Sequence, residues 1–129
     1  KIKFKNITIS NAGNDCLDFS YGNYEIMNAV ISDCKDKGLS LGESSRLEAH
    51  KLQISKSKTG AAIKDSSQAN FFNLKISNTN TCIAAYNKKK EFFGGKVFVN
   101  NDNLECNDSI KQFNIDKLSN ISTINQTTQ

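Results

Sequence analysis

Residues 38–42 read Gly-Leu-Ser-Leu-Gly, inside the longer stretch 36–45, DKGLSLGESS. The five residues match G-x-S-x-G, the pattern with which some hydrolases expose a nucleophilic serine on a sharp strand-to-helix turn. A step of 22 residues in either direction gives a different reading. Residues 16–20 (CLDFS), 38–42 (GLSLG), 60–64 (GAAIK) and 82–86 (CIAAY) align in one register. Their second positions are Leu17, Leu39, Ala61 and Ile83, and their fourth are Phe19, Leu41, Ile63 and Ala85, apolar every time. The match is a rung of an internal repeat.

Two further column pairs follow the same period, with one extra residue between the second and third units. One is Ile7, Ala29, Leu52 and Leu74 with Ile9, Ile31, Ile54 and Ile76. The other is Ile2, Tyr24, Leu47 and Ala69 with Phe4, Ile26, Ala49 and Phe71. Apolar side chains at i and i+2 share one face of a strand, so each unit of about 22 residues carries three short strands. A single unit cannot close a core. Stacking units about 4.8 Å apart turns every column into a ladder of like side chains and completes the backbone hydrogen bonds. The sequence therefore predicts an all-β fold, a parallel β-helix of about four regular three-strand coils. Below, the columns of Leu39, Leu52 and Leu47 define the first, second and third sheets.

Between the third-sheet and second-sheet strands stand Asn6, Asn28, Lys51 and Asn73. Asparagine tolerates the left-handed backbone region and can hydrogen-bond to its stacked copy. With these columns in hand, the chain resembles the right-handed parallel β-helix family of pectate-lyase-like proteins over residues 1–87. The left-handed β-helix prefers hexapeptide units, and the leucine-rich signature does not recur in all four units. The resemblance implies a right-handed solenoid of three sheets with a tight corner bearing an Asn ladder. It also implies a polysaccharide as the ligand class and an extracellular or cell-surface setting.

In chain order the expectation is one domain over 1–118, with regular coils at 1–87, an inserted loop at 88–95 and an irregular coil at 96–118. A polar tail, 119–129, is read as a frayed strand, a cap or disordered. The chain opens without methionine and already in strand alternation. It is read as a segment of a larger protein, its open ends covered by the rest of the parent chain or by a capping partner.

The 129 residues are 37% hydrophobic with a formal charge of +4, supplied almost wholly by lysine, Arg46 being the one arginine. Nucleic-acid surfaces cluster arginine and lysine and interleave aromatics. Here the only basic run is 87–92, NKKKEF, read as a solvated loop. No apolar run approaches the roughly 18 residues that cross a bilayer. Neither nucleic acid nor membrane is expected as a partner.

On this frame Ser40 points outward between two inward leucines, with no helix following and no oxyanion hole, and Ser40→Ala is expected to be nearly silent. His50, the sole histidine, is read as a residue at a strand end, facing solvent or the corner. The resemblance places any ligand groove along the outer face of the first sheet, where acidic residues hold calcium or act on uronic acids and a basic residue removes the proton. The matching ridge is Asp18, Ser40, Ala62 and Ala84 beside Ser20, Gly42, Lys64 and Tyr86, flanked by Asp15, Asp36, Lys37 and Lys58. Candidate catalytic residues are Asp18, Lys37 and Lys64, and candidate ligand-binding residues are Asp36, Glu43, Asp65 and Tyr86. Glu43 and Asp65, one coil apart, either share a cation such as calcium or are neutralised by Lys37 and Lys64. No other cofactor is expected.

The turns before the first-sheet strands are short, and the ridge ends in Ala62 and Ala84. Both depart from a lyase. The leading reading is a non-catalytic scaffold with a weak polysaccharide-contacting surface. The runner-up is a lyase or epimerase acting on uronic-acid polymers. Cys16, Cys34, Cys82 and Cys106 fit no metal spacing. Cys16 and Cys82 share a column about 14 Å apart, too far to bridge, and Cys34 does not stand opposite Cys16. Small, mostly buried thiols are expected, with Cys106 unplaced.

Overall fold

The computed structural model describes residues 1–125. They hold eleven strands and no α-helix. In chain order the strands are β1 (Ile2–Ala12), β2 (Leu17–Ser20), β3 (Asn23–Gly42), β4 (Arg46–Ala49), β5 (Leu52–Lys64) and β6 (Gln68–Phe71). Then follow β7 (Leu74–Tyr86), β8 (Lys96–Asn100), β9 (Leu104–Asn107), β10 (Lys111–Ile115) and β11 (Asn120–Ile124). Every pairing is parallel. Parallel neighbours one coil apart make a β-solenoid, with four regular coils, a fifth, and the first strand of a sixth.

The registers reproduce the columns read from the sequence. Leu39 pairs with Leu17 and Ala61, Leu52 with Ala29 and Leu74, and Leu47 with Tyr24 and Ala69. Leu39, Leu41, Leu47, Ile54, Ile63, Leu74 and Ile83 are fully or almost fully buried. They form one continuous core with aromatic rings near its N-terminal end, where Phe19 stacks on Tyr24 at 4.1 Å. The offset between coils two and three rises to 23 at the turn after the first sheet, where Gly42–Arg46 is one residue longer than Ser20–Asn23, and returns to 22 where the β3–β5 register shifts between Cys34 and Lys37.

Each coil turns its second corner on a residue in the left-handed region: Asn11, Asp33, Lys56, Asn78 and Asp108, with φ between 53° and 60°. This column, not the Asn6 column, holds the left-handed backbone. The Asn6 column still makes its ladder at one step, with Asn28 Nδ2 donating to Asn6 Oδ1 at 3.3 Å. A second left-handed site recurs after the first sheet, at Glu43–Ser44 and Asp65–Ser66.

The cysteines overturn the expectation of thiols. Cys16 is bonded to Cys34 and Cys82 to Cys106, with Cα–Cα distances of 5.5 and 6.2 Å, and no cysteine is free. The physical reason lies in the packing between columns. A Cβ built on Gly38 would collide with Ile54, and one on Gly60 with Ile76. The glycine column of one coil therefore faces the isoleucine column of the next. Cys82 continues the first column and Cys106 the second, since Cys106 pairs with Ile76. Their separation of 24 residues exceeds the 16 between Gly60 and Ile76 by eight. Six of these lie in the loop before β8 and two in the Asn101–Asn103 turn. At the other end Cys16 reaches one coil forward to Cys34 across the longer corner of coils one and two.

Residues 88–95 carry no strand. The tail begins as a strand, β11, paired along β8 from Asn120↔Lys96 to Ile124↔Asn100; residues 126–129 lie outside the described residues. At the ends, β1 and β2 pair on one side only, as do β9, β10 and β11.

Candidate functional site

The outer face of the first sheet is built as the ladders require. Asp18, Ser40, Ala62 and Ala84 pair in sequence, flanked by Gly42 against Ser20 and by Lys64 against Tyr86. Ser40 is only 1% exposed, and Ala62 and Ala84 are buried too. Lys64 is the cause at Ser40. Its side chain runs back one coil over Gly42, where the missing Cβ leaves room for it, and its Nζ donates to Ser40 Oγ at 2.7 Å. Ser40 thus points away from the core but into a lysine lid rather than into solvent.

Burial lowers the Lys64 pKa, and Lys37 adds to the shift while Asp18, Asp65 and Glu43 oppose it. Lys37 is half-buried on the opposite edge. Its Nζ lies 2.9 Å from Asp36 Oδ2 and 3.9 Å from Asp15 Oδ1, and its amide donates to Asp15 Oδ1 at 3.1 Å. Burial pulls the Lys37 pKa down, but the Asp36 hydrogen bond, Tyr86 and Asp15 outweigh it and leave it raised. Burial also pushes the Tyr86 phenol up, opposed by Lys37. Lys37, Lys64 and Tyr86 therefore form one electrostatic group across the face, while Asp18 remains exposed.

Glu43 and Asp65 are held by different protein groups. Glu43 Oε1 accepts from Ser20 Oγ at 2.7 Å and Oε2 from the Lys89 ammonium. The hydrogen bonds from Lys89 and Ser20 hold its carboxyl below the ordinary 4.5. Asp65 is fully buried. Its Oδ1 accepts from the backbone N–H groups of Lys88 and Lys89 at 2.8 and 2.9 Å, and its Oδ2 has no partner. Asp65 is thereby the anchor of the 88–95 loop. The lysine in direct contact with Glu43 is Lys89, with Lys64 acting on both carboxylates at longer range.

Sequence reasoning missed Lys89 and Asn87 because the repeat register stops at Tyr86. The two protons of Asn87 Nδ2 are shared among the carbonyls of Lys89, Phe92 and Phe93, at 3.0, 2.8 and 2.9 Å. The available signal was position: Asn87 stands 22 residues after Asp65, where the turn must close. His50 is not free in solvent either. Its Nε2 lies 2.7 Å from Glu25 Oε2, and its ring stacks on Phe72 at 5.0 Å. Glu25, Glu48 and His50 offer metal-ligand atoms within 4.8 Å of one another, and the Lys1 ammonium sits 2.7 Å from Glu48.

Comparison with family models, curated proteins and solved structures finds no match to this chain. The reading of its function therefore rests on the geometry above.

Proposed function

We propose that this chain is a right-handed, pectate-lyase-like β-helix segment that acts as a non-catalytic scaffold with a polysaccharide-contacting surface, outside the reducing cytoplasm. The observation that carries the reading is the closed ridge of the first sheet. Ser40 and Ala62 are buried on its outer side, and Lys37, Lys64 and Glu43 spend their polar atoms on Asp36, Ser40, Ser20 and Lys89. A catalytic groove needs a base and an acid held open to substrate. Two disulfides support an oxidising compartment, where such bonds persist. The one-sided strands at both ends fit the rest of the parent chain, or a capping partner, as their cover. Calcium has no part in this reading, because at Glu43 it would have to displace the Lys89 ammonium.

Incubation with polygalacturonate and alginate tests it: the polymers should be retarded in affinity electrophoresis without release of unsaturated uronate. One feature favours the runner-up, a lyase or epimerase. Lys64 is half-buried with a lowered pKa, beside the exposed Asp18, the environment of a proton-abstracting lysine. Unsaturated product formed by the wild type and lost in Lys64→Ala would establish that reading and overturn the scaffold.

A further inference from the structure

The turn from the first sheet to the third opens a hollow of about 350 Å³ lined by Arg46, Ser66, Gln68, Phe93, Lys96 and Leu118. Its apolar members are held in solvent by unusually well-tied backbone. Phe93 is 75% exposed and Leu118 59%. Yet Phe93 N donates to Ser66 Oγ at 2.7 Å, and the Phe93 carbonyl accepts from Ser66 N and from Asn87 Nδ2. Leu118 sits in a turn that Asp116 closes, Oδ1 accepting from Leu118 N and from Ser119 Oγ at 3.1 and 2.7 Å. Asp116 Oδ2 accepts from Asn87 N at 2.7 Å, which ties the two turns together. Between them runs Gly94, where any Cβ would collide with Ser119 and the Leu118 carbonyl. The neighbouring Phe92 turns the other way, its ring 6.4 Å from that of Tyr21. A large exposed ring on a rigid loop is the kind of apolar surface that marks a contact site.

The polar members complement it. Arg46, Gln68 and Lys96 pair in successive coils of the third sheet, which sets the two cations two steps apart, about 9.6 Å. Both are exposed, and neither has a carboxylate at salt-bridge distance among the described residues. Arg46 Nη1 donates only to Gln68 Oε1, at 3.3 Å, so the rest of its guanidinium fork is available to a planar anion.

We infer that this hollow is a binding site for an acidic saccharide, the C–H face of one sugar lying on the Phe93 ring and uronate carboxylates meeting Arg46 and Lys96. The ligand so recognised has an apolar face, hydroxyl groups and anionic charge repeated along a chain parallel to the solenoid axis. A single-stranded nucleic acid shares the charge, but its bases stack best on successive aromatic platforms, and the hollow offers one ring. The inference rests on the polysaccharide reading above and moves the contact from the closed first-sheet face to this one.

Calorimetric titration with an oligogalacturonate, a neutral galactan oligomer of the same length and an oligothymidylate tests it. Arg46→Gln, Lys96→Gln and Phe93→Ala should each weaken oligogalacturonate binding about tenfold. Phe93→Tyr should retain it, and unchanged melting curves show that each variant is folded. Binding that survives these changes and is lost in Lys64→Gln overturns this site and leaves the polysaccharide reading standing. Equal affinity for the neutral oligomer overturns the assignment of an acidic ligand, and tighter binding of oligothymidylate overturns the saccharide. If no saccharide binds at all, both readings fail.

Discussion

Lys64 carries its ammonium one coil back along the first sheet to Ser40, a serine that the sequence alone would leave idle. The bond is charge-assisted and half-buried, so Ser40→Ala should cost about 1 kcal/mol in urea denaturation, not the near-silence expected from an outward strand position. The same lysine gives a pH signature. Its folded-state pKa is held below the ordinary 10.5, so between the two values the unfolded chain binds the proton more readily than the folded one. Stability contributed through Lys64 therefore rises as pH climbs from its lowered folded-state pKa towards 10.5. Lys37 and Lys89, whose pKa values are raised, work in the opposite sense, so the comparison must be differential. Relative to Lys64→Met, the wild type should gain stability with rising pH. A constant difference across that range would mean that the ammonium is not desolvated.

At the scale of the strands, side-chain volume in one column is set by the column it faces. A Cβ on Gly60 would meet the Cys82 carbonyl at 2.6 Å and Ile76 Cγ2 at 2.8 Å. Gly60→Ala should accordingly destabilise the chain by about 1–3 kcal/mol, whereas Gly13→Ala, with nothing within 4 Å, should stay within about 0.5 kcal/mol. The period of 22 was legible because apolar residues at i and i+2 recur wherever ladders must be buried, which made Leu39, Leu52 and Leu47 reliable markers. The disulfides were not, because the rule that couples the columns of Gly60 and Ile76 acts through space and spans two different strands. Read with that rule, Cys82 and Cys106 exchange a glycine–isoleucine contact for a covalent one. The left-handed positions were not legible for a related reason: Asn6 and Asn11 are both polar turn residues, and only the backbone shows that the positive φ falls in the column of Asn11. Of the candidate site, Lys37, Lys64 and Tyr86 were brought together as the register required. Phe93, Lys96 and Leu118 lie beyond the point where the register breaks, so no column could associate them with Arg46.

For the molecule as a whole, a solenoid is held by contacts between neighbouring coils, so its stability is close to a sum of local terms. The two disulfides lie at opposite ends of that stack. Cys16–Cys34 ties coil one to coil two, and Cys82–Cys106 ties coil four to coil five, leaving coils two to four joined by ladders and core alone. A staple across a loop of 18 or 24 residues contributes about 3 kcal/mol, and in a quasi-one-dimensional fold that contribution is felt where the staple sits. The end coils need it, since β1 and β2 at one end and β9, β10 and β11 at the other have partners on one side only. Replacing Cys16 and Cys34 by serine should therefore strip hydrogen-exchange protection from residues 1–20 and leave 47–86 protected. Replacing Cys82 and Cys106 should do the same to residues 96–124. Loss of protection throughout the chain from either pair of substitutions would mean that the coils unfold as one cooperative unit and that the staples govern the whole core, contrary to a nearest-neighbour stack.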